Sequence, residues 1–163
     1  MAAPAPEGPR VRVAALITLA GRVVLVRHRA GSSVYHLLPG GGVGYRETLA
    51  EALVREVTEE TGLVVSLGIP LFISDTIDPE GPRHVVNITF SAEVVGGQVT
   101  HNPTDHRVVA VDLVEPSRLP SLDLRPPIAQ YVLEAIESDG TPQLQYLGSL
   151  FTVGQANPTP GDS

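Results

Sequence analysis

The sequence predicts an α/β (α+β) protein in which a mixed β-sheet is flanked by helices. Three observations predict it. Short segments rich in Val, Leu and Ile recur from Val11 to Leu113, separated by glycine and proline. Within that run, Glu47 to Thr61 switches to apolar spacing of three and four residues, the period of a helix. A second helical pattern, Pro126 to Ser138, follows only after several strands. Helices separated by strands in this way pack on either side of a sheet.

Taken in order, Val11–Leu19 and Arg22–Arg29 read as strands joined at Ala20-Gly21, a hairpin signal. Pro39–Gly44 reads as a glycine-rich loop. In Glu47–Thr61 the apolar face is Leu49, Ala50, Leu53, Val54 and Val57, and Gly62 suits a left-handed C-terminal cap. Leu63–Ile69, Leu71–Ile77 and His84–Val95 read as strands bounded by Pro70, by the turn Asp78-Pro79-Glu80-Gly81-Pro82 and by Gly96-Gly97. Arg107–Leu113 is the expected last strand of the sheet. The second helix has Pro126 or Pro127 near its first turn. Residues 143–153 fit either state. The expected organisation is a flexible tail over residues 1–10, one domain over 11–153 and a disordered tail over 154–163.

The chain of 163 residues, 42% hydrophobic, suits a single globular domain with a substantial core. It has no apolar run long enough to span a membrane, and a first decad with three prolines is not a signal peptide. With no cysteine, disulfides and thiolate metal sites are excluded, and a cytoplasmic location is the default expectation. The formal charge is −7, and all eleven basic residues are arginine. That balance argues against a nucleic-acid polymer as partner but not against a small nucleotide.

The acidic helix carries the chemistry. Five carboxylates, Glu47, Glu51, Glu56, Glu59 and Glu60, fall in one stretch with only Arg55 among them. At about 100° per residue, Glu56 and Glu60 share a face and Glu59 flanks it. An ordinary solvated face explains Glu47 and Glu51, and Arg55 could pair with Glu51 or Glu59 at four-residue spacing. It explains Glu59 and Glu60 poorly, because they sit beside each other in the last turn, against the helix dipole. Three carboxylates converging there suit a hard cation. Mg²⁺ takes oxygen ligands and keeps open positions for phosphate oxygens, and Mn²⁺ could substitute. The preceding Gly40, Gly41, Gly42 and Gly44 let backbone approach a ligand, with Gly41 and Gly42 as candidate substrate contacts.

Loop and helix together resemble the Nudix box, Gly-x5-Glu-x7-Arg-Glu-U-x-Glu-Glu-x-Gly-U with U bulky aliphatic. Gly41, Glu47, Arg55, Glu56, Val57, Glu59, Glu60, Gly62 and Leu63 meet all nine fixed positions over 23 residues. The strand order fits the Nudix α-β-α sandwich from about Val11 to about Ser138. The resemblance implies metal-dependent hydrolysis of a nucleoside diphosphate linked to another group. It implies metal ligation by Glu56, Glu59 and Glu60 with the Gly40 carbonyl, and places Arg55 and Glu47 as orienting partners. The general base varies in the family, leaving Glu56, Glu59 or the later Asp105 as candidates, although Asp105 also reads as a plain turn residue. A noncatalytic nucleotide-binding module is the rival of different class, but such modules often lose box glutamates and none is lost here.

Arg27, His28 and Arg29 end a strand, and Arg46 and Arg83 lie in loops; arginine can grip phosphate bidentately. Of these, Arg27, Arg29 and Arg46 are the candidate substrate contacts. Tyr35, Tyr45, Phe72 and Phe90 are aromatic candidates for base stacking, and the five histidines show no metal-ligand spacing. Pro79 lies sixteen residues beyond Leu63, and no tyrosine falls between Tyr45 and Tyr131. Family members that cleave ADP-ribose tend to carry a proline at about that distance, so ADP-ribose or a similar nucleotide sugar is favoured, with MutT-type cleavage of nucleoside triphosphates next. Many family members pair, so a homodimer is allowed for, with residues 143–153 as a packing surface.

Overall fold

A computed structural model describes residues 8–100, 102–138 and 143–151. The expected tail 154–163, residues 1–7 of the expected N-terminal tail and His101 lie outside the described residues. The chain runs β1 (Arg10–Leu16), β2 (Thr18–Leu19), β3 (Arg22–Ala30), β4 (Ser33–Leu37), β5 (Gly40–Gly42), α1 (Leu49–Thr61), β6 (Leu63–Ile77), β7 (His84–Gly97) and β8 (Val108–Val114). A 3-10 turn over Pro116–Ser121, α2 (Ala129–Glu137) and β9 (Gln145–Ser149) follow.

Two sheets result. The first has the order β5-β1-β7-β6-β9 and is mixed: β1 runs parallel to β7, β6 parallel to β9, and the other two pairs are antiparallel. In the second, β3 pairs β2 and β4 along one edge and β8 along the other, all antiparallel. Alternation along β1 sets the layers, because side chains of a strand point to opposite faces in turn. Val13, Ala15 and Ile17 pack with Ala52, Leu53 and Val57 of α1. Ala14 and Leu16 pack with Leu71, Phe72 and, from the α2 side, Ile128 and Val132. Both helices therefore flank sheet, as the pattern predicts.

Several boundaries differ from the sequence reading. The first helix starts at Leu49, not Glu47, because Thr48 is its N-cap. Thr48 Oγ1 accepts the Glu51 N–H at 3.1 Å, and Glu51 Oε2 accepts the Thr48 N–H at 2.8 Å, a capping box. Glu51 is thus spent on the cap and is not the partner of Arg55. At the other end Gly62 adopts φ +78° and donates to Thr58 O; a Cβ there would meet Gln98 O at 2.4 Å. The two strands expected either side of Pro70 are one strand, β6, with register shifts around Pro70, whose missing N–H interrupts the ladder. The single strand expected over Val11–Leu19 splits into β1 and β2. The glycine loop contains β5, and β4 arises where no strand was expected. The second helix begins at Ala129, after both prolines. Residues 145–149 resolve as β9, laid parallel against β6, so the surface offered for pairing is already partly used within the chain. No described helix is long and apolar enough to cross a membrane.

Candidate active site

The site forms where β5 crosses the buried face of α1. Glu56 and Glu60 are both buried, at 3% and 1% relative exposure, and both face the glycine segment. A Cβ on Gly41 would sit 2.2 Å from the Glu56 carboxyl carbon, so only glycine leaves room for this carboxylate. A Cβ on Gly40, where φ is +156°, would sit 2.0 Å from Val13 O. The glycines are therefore read by two neighbours, the β1 backbone and the glutamate. Gly40 N–H donates to Glu60 Oε2 at 2.8 Å.

Arg55 fixes the other side. Its Nε and Nη2 donate to the two Glu47 oxygens at 2.7 and 2.9 Å, a bidentate grip. Its Nη1 donates to Glu56 Oε1 at 2.7 Å, and Nη2 also reaches Gly42 O at 3.2 Å. Glu47 Oε2 accepts the Gly44 N–H at 2.8 Å. Loop, Glu47, Arg55 and Glu56 thus form one chain of charge-assisted hydrogen bonds. Those from Arg55 and then Gly44 hold the Glu47 carboxyl down at about 2. Between Gly44 and Glu47, Arg46 takes φ +64°, an uncommon conformation for a side-chain-bearing residue, and is exposed.

Glu60 is the electrostatic outlier. Burial pushes its carboxyl up to about 8, with the Glu56 and Asp105 charges adding to the rise; the Gly40 N–H and Arg12 oppose it. Glu59 does not join this buried pair. It is half exposed, with Oε2 3.6 Å from Arg55 Nη1. Among the described residues no three acidic or histidine side chains stand grouped for a metal. The donors on offer are the Glu56–Glu60 pair and the backbone oxygen of Gly40, with Glu59 at the rim. Two buried carboxylates beside a glycine backbone, one of them pushed upward by burial, fit a hard divalent ion. Such an ion would keep its other positions for water and phosphate.

Thr100 and Thr104 are pinned to the end of α1. Thr104 donates through N and Oγ1 to Glu59 O, both at 3.1 Å, and Thr100 N donates to Thr61 O at 2.8 Å, satisfying carbonyls that a helix end leaves open. This brings Asp105 into the field of Glu60 and His28. Burial would raise the Asp105 carboxyl, but hydrogen bonds from the Arg107 side chain and backbone outweigh it and leave it below the usual value. Arg107 Nε and Nη2 take the two Asp105 oxygens at 3.1 and 2.7 Å.

The remaining predicted contacts scatter. Arg27 turns to Asp112 on β8, with Nε 3.2 Å from Oδ2, and His36 Nε2 lies 2.9 Å from the same oxygen. Arg29 is exposed at the end of β3. Phe72 is buried in the core on the α2 side, Phe90 packs against the core on the α1 side, and Tyr35 is covered by Arg125, whose Cζ stands 4.3 Å from the ring centroid. Tyr45 is 96% exposed. It stands on the rim of a cleft of about 740 Å³ lined by Arg10, Gly42, Gly44, Glu47 and Arg55. Sequence reasoning missed Arg12 and Arg107. Arg12 lies within electrostatic reach of Glu60 and Glu56 and donates to Leu38 O at 2.9 Å. The only signal was a charge inside the apolar run Val11 to Leu16.

Comparison with known proteins adds three findings. A family model described as NUDIX domain matches residues 8–135. An ADP-ribose pyrophosphatase of Methanocaldococcus jannaschii is 36% identical over 92 residues, 56% of this chain and 54% of that protein, so the match spans about half the length of the curated relative. Among solved structures, a MutT NUDIX hydrolase from Burkholderia pseudomallei superposes with TM-score 0.65 at 30% identity, covering 78% of this chain and 98% of that one. An ADP-ribose pyrophosphatase from Streptococcus suis superposes with TM-score 0.64 at 25% identity, covering 89% and 100%.

Proposed function

The chain belongs to the Nudix hydrolase family, and on that premise we propose that it cleaves a pyrophosphate linkage in a nucleoside diphosphate derivative, with Mg²⁺ as cofactor and Mn²⁺ able to substitute. The observation that carries the reading is the buried Glu56–Glu60 pair, set against Gly40 and Gly41 and locked by Arg55 and Glu47. ADP-ribose or a similar nucleotide sugar is the favoured substrate. Two of the relatives described above carry ADP-ribose pyrophosphatase as their name, and Pro79 stands in the β6–β7 turn at the distance noted in the sequence.

A bound cation would be held by Glu56, Glu60 and the Gly40 carbonyl, with Glu59 at the rim. It would neutralise phosphate charge and lower the pKa of a bound water. The protein's own groups do the rest. Gly41 leaves the Glu56 carboxylate its place. Arg55 holds one oxygen of Glu56 so that the other is aimed consistently. Glu59, half exposed and without a short ion pair, is the carboxylate free to take a proton from the attacking water. Asp105, held ionised with both oxygens gripped by Arg107, is a poor base and acts as the anchor of that arginine. Tyr45 offers the nucleobase an uncovered aromatic face beside the cleft.

The similarity to the Burkholderia MutT hydrolase supports a second reading, cleavage of nucleoside triphosphates. One experiment separates them: product release from ADP-ribose, dinucleoside polyphosphates and nucleoside triphosphates, assayed side by side with Mg²⁺, with Glu56→Gln and Glu60→Gln as controls. AMP and ribose 5-phosphate from ADP-ribose, lost in both variants, is the expected result. Unchanged turnover in the variants would remove the site assignment.

A further inference from the structure

The longest stretch without a charged side chain runs from Gly140 to Gly161, 22 residues in a chain whose formal charge is −7. Residues 143–151 of it are described, and they hold β9. One side of β9 pairs with β6. The strand ends the order β5-β1-β7-β6-β9, so among the described residues its other side has no partner strand. Such an edge leaves backbone N–H and C=O groups open to a further strand, and proteins usually guard it with charge or proline. Gln145–Ser149 has neither.

Alternation sorts the side chains of this edge. Register sets Gln145 beside Phe72 and Tyr146 beside Ile73. Phe72 belongs to the core on the α2 side, so Gln145 and Leu147 are on that face, and Leu147 packs there. Tyr146 and, one step earlier in the same alternation, Leu144 lie on the opposite face, 68% and 51% exposed. Tyr146 Oη donates to Asp75 Oδ2 at 2.5 Å, which ties the ring to its own sheet while leaving it uncovered. A tyrosine tethered in this way loses little freedom on binding, and tyrosine is enriched among interface anchors. Gly148, at φ +74°, ends the regular part of the edge.

We propose that β9 pairs antiparallel with β9 of a second copy of this chain, across a two-fold axis at Gln145, joining two sheets into one. Charge selects the second copy as the occupant. In a two-fold contact the same patch meets itself, so any charge near the axis faces its own like. An acidic chain avoids that repulsion where charge is absent, as it is here. In an antiparallel pair, directly opposite residues share a face. With Gln145 on the axis, Leu144 of each copy therefore faces Tyr146 of the other. The two Gln145 amides, each both donor and acceptor, can bond one another. Centring on Tyr146 instead would set Leu144 against Gly148, which offers no side chain. So short an edge is smaller than a standard interface of about 1,600 Å², and the expected Kd is on the order of 10–100 µM. Glu56 and Glu60 face β5, the opposite edge of the same sheet, so the pairing leaves them open.

Sedimentation velocity of the full chain from about 5 to about 500 µM tests the pairing. The parent should pass from monomer to dimer over that range. Gln145→Lys and Gln145→Glu each set two like charges about 5 Å apart across the axis, and each should stay monomeric. An equimolar mixture of the two should dimerise at least as tightly as the parent, which also shows that both variants fold. Tyr146→Ser should weaken the dimer about tenfold or more. Thr18→Lys makes the same change of charge as Gln145→Lys at an exposed position on β2 of the other sheet, and should dimerise as the parent does. Nucleotide hydrolysis should match the parent in both Gln145 variants. A parent that stays monomeric at the highest concentration, a dimer that survives Gln145→Lys, or a mixture of the two Gln145 variants that stays monomeric would overturn the inference.

Discussion

Replacing Glu60 by glutamine should change how stability responds to pH in the metal-free protein. The carboxyl titrates at about 8 when folded, against 4.5 for an unperturbed glutamate. Below 4.5 both states are protonated and the group contributes nothing to the difference. Between the two values the unfolded chain ionises while the folded chain keeps its proton, so stability falls by about 1.4 kcal/mol per pH unit. Above 8 both are ionised and the loss is complete, about 5 kcal/mol at most. Glutamine can still accept the Gly40 N–H but does not titrate. Thermal melts of parent and Glu60→Gln in EDTA from pH 5 to 9 should therefore diverge, with the parent losing roughly 10–20 °C relative to the variant. Added Mg²⁺ should rescue the parent increasingly as pH rises, because the cation competes with the proton, and should do much less for the variant. Parallel melting curves across this range would refute the reasoning, since they would mean that Glu60 carries no penalty for a cation to relieve.

Other consequences are local. Gly41→Ala places a methyl 2.2 Å from the Glu56 carboxyl carbon, so turnover should drop about 10²-fold while circular dichroism stays native. Thr48→Ala removes the cap hydroxyl of α1 and should lower unfolding free energy by about 1 kcal/mol in urea titrations without abolishing activity. Glu59→Gln should lower kcat about 10²-fold or more in steady-state assays, whereas Asp105→Asn should cost far less.

The legible parts of this protein were those whose signal is local. The acidic helix announced itself through its period, its spacing of glutamates and Gly62, and the structure places Leu49, Leu53, Val54 and Val57 on the core as that period requires, while Ala50, expected on the same face, is exposed and Ala52 is buried in its stead. The helix start was misjudged by two residues because Glu47 reads as helical, whereas the Thr48 cap turns it outward to Arg55. The strand β4 escaped because Ser33 to Leu37 mixes exposed and half-buried positions and exists by pairing with β3. The strand β5 escaped because three glycines have little strand propensity; their backbone is held by register with Arg12, Val13 and Ala14. The glutamates and their glycine neighbours were likewise visible together, since the motif lies within 23 residues. The approach of Arg12 to Glu60 and Glu56 was not, because it depends on β1 pairing with β5 and β7, strands far from it in sequence. Arg27 shows the converse error: an attractive charge at a strand end that its cross-strand neighbour Asp112 claims.

The central claim is that Glu56 and Glu60 together hold a divalent cation against the glycine backbone. Direct titration with Mn²⁺, following the loss of free-ion paramagnetic resonance, tests it without reference to substrate. The parent protein should take up Mn²⁺ with an affinity that rises from pH 6 to pH 8.5. Glu56→Gln and Glu60→Gln should each lose most of that binding, and Mg²⁺ should displace it. Binding of Mn²⁺ in both variants at the parent's affinity would contradict the account.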